Sequence, residues 1–144
     1  MKKIEKMAQL VADLNVLNVK FHNLHWNVVG LNFESVHLLT ETSYTDFFNK
    51  YDEIAERMKM LGELPPASMK KYLELTKVEE LEDKDYSVSE ILKIVLDLYV
   101  FLKKEVMELR TLADKECDFI IVGLAKEYLG EFDKQIWFVS SMQK

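Results

Sequence analysis

The chain has 144 residues, 49% of them hydrophobic and 31% charged, enough for one domain with a proper core. Only 4 Gly and 2 Pro interrupt it, which predicts a mostly helical protein. A net charge of -6 argues against a bare surface that binds nucleic acid, and a single cysteine rules out an internal disulfide.

The N-terminal stretch MKKIEKMAQLVADLN is charged and amphipathic, without the apolar run of a signal peptide. No apolar run approaches the roughly 20 residues that cross a membrane. Together with the lone cysteine, these features lead us to expect a cytoplasmic protein with no membrane partner.

Met7, Leu10, Leu14, Leu17, Phe21, Leu24 and Val28 alternate in steps of three and four, predicting one apolar helix face from about residue 3 to residue 29. Gly30 suits the position just past a helix, and Asn32 is a candidate cap for the next. The second helix, about residues 33 to 62, carries two stripes. Phe33, Val36, Phe47, Tyr51, Ile54, Met58 and Leu61 form its expected core face, with Thr40 filling a gap. Beside them run His37, Glu41, Tyr44, Phe48, Asp52 and Glu56. A helix with two such stripes needs two partners.

Gly62 and Pro65–Pro66 end that helix. A long connection follows, in which residues 68–75 (SMKKYLEL) predict a short helix. Ser87-x-x-Glu90 reads as a capping box for a third long helix with Ile91, Val95, Leu98, Leu102, Val106, Leu109 and Leu112 on its apolar face. Asp118 can cap a fourth, with Ile121, Leu124, Tyr128, Phe132, Ile136 and Val139 inward. The expected fold is therefore all-α: a ferritin-like four-helix bundle in a single domain, with a short helix in the crossover between its second and third long helices.

His25 and His37 lie at similar distances from the first turn, so antiparallel helices bring them together. Glu41 points the same way, one turn beyond His37. Asp52 and Glu56 cannot join them within one chain. Asp52 lies 15 residues from His37, which at helical rise is about 22 Å. Two side chains and two metal bonds of roughly 2.1 Å do not span that. A twofold axis near Tyr44 and Thr45 does: it sets His37 of one copy against Asp52 and Glu56 of the other, and buries Tyr44 and Phe48 on the axis. Taken singly, each residue has an ordinary explanation. A lone histidine on a core helix is usually a satisfied polar residue, and carboxylates four apart usually form a solvated face. The joint pattern on one stripe is what points to metal. Two histidines with carboxylates suit iron, manganese or zinc. His22 is expected to support His25 rather than to bind metal, and Trp26 stands where it could quench a radical formed nearby.

The blocks FHNLHWNVVG, NFESVHLLTE and YDEIAERMKMLGELP, followed by YLEL and DKQIWFV, resemble the Dps family, the twelve-subunit miniferritins also called DNA-binding proteins from starved cells. The resemblance runs from about residue 10 to residue 140. It implies a ferroxidase site at a twofold interface, holding at most two irons (Fe2+/Fe3+). His25 and His37 would come from one subunit, with Glu41 as a further ligand, and Asp52 and Glu56 from its neighbour. It also implies a homododecamer built from dimers, oxidation of Fe(II) by hydrogen peroxide, storage of a ferric mineral, and protection from oxidative stress. Glu41 stands where the family commonly has Asp, and Gly62–Glu63 where it often has paired glycines. Among Asp114, Glu116, Asp118, Glu127 and Glu131, Asp118 is the expected point of iron access, although Val122 breaks any acidic ladder one turn on. DNA binding is not expected: Lys2, Lys3 and Lys6 belong to the first helix or its edge, and Glu5 dilutes them. The alternatives are a DNA-binding shell with little ferroxidase role and a helical interaction module without metal.

Overall fold

The computed structural model describes residues 1–144. In chain order the elements are α1 (Lys3–Asn27), β1 (Val28–Val29), α2 (Phe33–Met60), α3 (Met69–Leu75), β2 (Tyr86–Ser87), α4 (Val88–Lys115) and α5 (Phe119–Met142). The architecture is all-α, with four long helices, and α3 is the short helix expected in the crossover, capped by the Ser68 hydroxyl. By its internal contacts the chain forms two compact units, residues 7–88 and residues 1–6 with 89–144.

In the first unit α1 and α2 run antiparallel. The register is read from three pairs: His25 stacks on His37 at 3.6 Å, Phe21 meets Phe47 edge-on at 4.9 Å, and the Asn18 amide donates to the Tyr44 carbonyl at 2.8 Å. All seven apolar residues expected on the α1 face are buried. So are Gln9 and Asp13, which the apolar period does not mark. Gln9 donates to one oxygen of Asp13, while the other accepts from the Thr76 hydroxyl and the Lys77 amide, each at 2.8 Å. A buried carboxylate with this many donors is satisfied in place. It fastens the crossover to α1. Lys20 and Asn23 extend the seam by donating to the carbonyls of Glu79 and Glu82.

A two-residue parallel ladder, Val28 with Tyr86 and Val29 with Ser87, completes that seam. It also corrects the end of the first helix, which stops at Asn27 because Val28 and Val29 give their backbone groups to β2. Two further expectations about the turn are overturned. Asn32 makes no side-chain capping bond; it takes a left-handed conformation (φ 68°), which asparagine tolerates better than most residues. Phe33 is 43% exposed rather than in the core, since it opens α2, where its ring stacks on His37. Val36, Thr40, Phe47, Ile54 and Met58 do line the core as expected. α2 ends in a Schellman motif: Gly62 (φ 81°) donates to Lys59 and Glu63 to Met58, both at 3.0 Å.

In the second unit, α4 and α5 bury Ile91, Val95, Leu102, Val106, Leu109, Ile121, Tyr128, Phe132 and Val139, following the expected faces. Lys6 is fully buried there, its ammonium bound to the carboxylates of Glu105 and Glu108. Such a pair needs both charges, because either one left alone in the interior would be strongly destabilising. Asp118 caps α5 by accepting from the Ile121 amide at 3.2 Å, as its position predicted.

Candidate metal centre

His25 and His37 sit on the two helices that flank the first turn, and each ring is tied to the other residue's backbone. The His25 Nδ1 lies 2.7 Å from the His37 carbonyl oxygen, and the His37 Nδ1 lies 2.8 Å from the His25 carbonyl. A carbonyl only accepts, so both Nδ1 atoms carry the proton. Each Nε2 is left with a free lone pair, the tautomer a metal requires. The rings stack nearly parallel, at 16°. His25 is buried and His37 half-buried.

Three residues brace this pair. Thr40, fully buried, donates its hydroxyl to the carbonyls of Val36 and His37 and lies 3.3 Å from the His25 Nδ1. Tyr44 packs edge-on against the His25 ring at 5.3 Å. His22 in turn stacks on Tyr44 at 3.7 Å, with its own Nδ1 on the Asn18 carbonyl. His22 thus reaches the His25 ring by way of Tyr44. Periodicity reads Thr40 only as filler in a core stripe, and it gives Asn18 no role. The available signal was that Asn18, His22 and His25 share one face of α1.

Glu41, Asp52 and Glu56 are exposed on α2, and within one chain no three His, Cys, Asp or Glu side chains gather to hold a metal. The carboxylates lie on one stripe of α2, one residue per turn when Tyr44 and Phe48 are counted between Glu41 and Asp52. The Phe48 ring is 53% exposed and touches Tyr51. Burial raises the Tyr51 phenol above its ordinary range, with Tyr72 and the Asp52 carboxylate adding to the effect. Trp26 is 69% exposed, with its ring 5.4 Å from His22.

Asp118 is committed elsewhere. Besides capping α5, it pairs with the Lys3 ammonium at 2.8 Å, so its charge is balanced inside its own unit. Glu116 accepts from the Lys3 backbone amide at 2.9 Å. A carboxylate already neutralised by an ammonium attracts an incoming cation far less than a free one does.

Comparison with known proteins places this geometry in a family. Residues 4–144 match the ferritin-like domain family. The DNA protection during starvation protein of Helicobacter pylori is 38% identical over 141 residues, covering 98% of each chain. Among solved structures, Helicobacter cinaedi CAIP superposes with a TM-score of 0.96 at 34% identity, covering 99% of this chain and 100% of that one. Dps from Listeria monocytogenes gives a TM-score of 0.95 at 29% identity, covering 99% and 93%. With the ferritin-like domain spanning nearly every residue and a starvation-protection protein matched end to end, the chain belongs to the Dps proteins of the ferritin-like family.

Proposed function

We propose that this protein oxidises Fe(II) with hydrogen peroxide at sites shared between two copies, and stores the ferric product inside a closed shell of twelve chains. The observation that carries the reading is the reciprocal tethering of His25 and His37, which readies two Nε2 lone pairs in a chain that cannot complete the ligand set alone. Asp52 and Glu56 of the twofold-related copy supply the missing oxygens, with Glu41 beside the histidines as a further ligand. Two Fe(II) substrates each give one electron to a peroxide, which takes up two protons and leaves as two waters. Neutral imidazoles and carboxylates hold both oxidation states, the carboxylates balancing the added charge.

Stopped-flow absorbance at a ratio of two Fe(II) per peroxide tests the reading. Oxidation should run far faster with peroxide than with air, and Asp52→Ala should lower the rate by at least about tenfold. Equal rates with and without protein would refute the ferroxidase assignment. Trp26, exposed and in ring contact with His22, is the proposed sink for stray oxidising equivalents.

Thr40 tunes the same site. Thr40→Val should weaken Zn(II) binding in calorimetry by about 3- to 10-fold, below the usual range for partners of ligand histidines because the His37 carbonyl remains. Thr40→Ser, which keeps the hydroxyl, should bind like the parent. Equal affinity for all three chains would leave Thr40 a packing residue only.

Protection of DNA in this reading comes from removing iron and peroxide rather than from coating the duplex. Of the three N-terminal lysines, Lys6 is buried between two carboxylates and Lys3 pairs with Asp118, so only Lys2 is exposed to meet a phosphate. Stable binding needs several phosphates neutralised together, each adding about 0.9 to the salt slope. No retardation of linear duplex is therefore expected at physiological salt and neutral pH. A salt-sensitive gel shift, lost in Lys2→Ala, would favour the DNA-coating alternative.

A further inference from the structure

Where Lys20 and Asn23 hold the crossover against α1, a cleft of about 500 Å³ remains between them, wholly within the first unit. That volume is ordinary for a small-molecule site. Val19, Trp26 and Leu81 give it an apolar wall, and Lys20, Glu80 and Asp83 give it charge. Asn23 and Asn27 also line it, but their amides are engaged within the chain. Asn27 donates to the Asn23 side-chain oxygen at 2.7 Å, and Asn23 to the Glu82 carbonyl at 3.1 Å. Apart from Trp26, none of these residues has a part in the metal centre.

Lys20 is the group here with chemistry of its own. It is half-buried, and its Nζ donates to the Glu79 carbonyl at 2.7 Å. Removal from water pushes the ammonium below the ordinary lysine range, and the Glu79 carboxylate opposes this only in part. More of it is therefore neutral amine at neutral pH than of an exposed lysine. A carbonyl oxygen only accepts, so the neutral amine keeps an N–H toward Glu79 and turns its lone pair elsewhere. A partly desolvated amine beside an apolar wall is a nucleophile suited to carbonyl carbon.

We propose that this cleft takes a small aldehyde with a neutral, apolar body, which Lys20 binds as an imine while the body lies against Trp26, Val19 and Leu81. Nζ attacks the carbonyl carbon to give a carbinolamine. The two hydrogens of the amine and the carbonyl oxygen then leave as water, and C=N replaces C=O. Nothing is oxidised or reduced. The protonated imine carries one positive charge, as the ammonium did, and Glu80 and Asp83 on the cleft balance it. The same two carboxylates disfavour an aldehyde whose body is anionic. The site does not rest on the iron chemistry above.

Treating the native protein with benzaldehyde and cyanoborohydride, which fixes an imine as a secondary amine, tests the site once the peptides are mapped by mass spectrometry. At limiting reagent and neutral pH, Lys20 should be modified at least about threefold more than the exposed Lys2, Lys70 and Lys144. Formaldehyde and 4-formylbenzoate should show a smaller preference, the first for want of a body and the second for its charge. Val19→Trp fills the cleft from a position that is 53% exposed, so the fold should keep its circular dichroism. In that variant Lys20 should fall to the level of the exposed lysines or below. Modification that simply follows exposure, with Lys20 among the slowest amines, would overturn the proposal. A Lys20 that leads equally with all three reagents, or leads in Val19→Trp, would overturn it as well, by showing a reactive amine without a site.

Discussion

Shells reassembled from a mixture of His25→Gly/His37→Gly subunits and Asp52→Ala/Glu56→Ala subunits should oxidise Fe(II) although neither parent does. Each parent keeps half of the proposed ligand set. The first retains the carboxylates and the second the tethered histidine pair. In a mixed dimer, one of the two sites joins intact histidines to intact carboxylates, and the other has neither. With random pairing, half of the dimers are mixed, so about a quarter of native activity is expected from the sharing of one site across an isologous contact. Stopped-flow oxidation after dissociation and reassembly reads it. Mixed shells of native size with no recovered activity would place the complete site within one chain, or deny the carboxylates a role.

Phe48→Ala should break the assembly without harming the chain. The ring is half-exposed in the isolated subunit, in edge-on contact with Tyr51, so its removal costs the fold little. If the stripe closes on its symmetry mate, the same ring becomes buried, and truncation then costs about 3–5 kcal/mol at each copy. The loss is doubled at a twofold axis. Size exclusion with light scattering should show the variant as smaller species with native circular dichroism, while Asp52→Ala stays assembled. A native-sized Phe48→Ala shell with unchanged melting would put that face in solvent and remove the basis for the symmetry.

The two outcomes separate chemistry from assembly on a single helix. Asp52 and Phe48 are one turn apart on α2 and both exposed, yet one is expected to govern the rate and the other the mass. Tyr44 joins the two roles. It lies on the same stripe and also packs edge-on against His25, so closing the interface would fix the ring that steadies this histidine.

Apolar spacing alone determined the helices. Burial acts residue by residue along a 3.6-residue period, so Met7 through Val28 and Ile121 through Val139 announce their faces without knowledge of any partner. The pairing of His25 with His37 was also legible, because a short turn leaves antiparallel helices little freedom of register. The separation of His37 from Asp52 needed only helical rise. Other features depend on groups far apart in the chain. Asp13 is buried because the crossover brings Thr76 and Lys77 to it, and Lys6 because Glu105 and Glu108 meet it; no local pattern records either meeting. Asp118 reads from sequence as a helix cap and a point of iron access, and only the fold supplies the Lys3 that balances it. The protonated Nδ1 of each histidine belongs to the same class. Hydrogen bonds to backbone carbonyls are set by how two helices lie against each other, so the tautomer that frees both Nε2 atoms was decided by the tertiary structure.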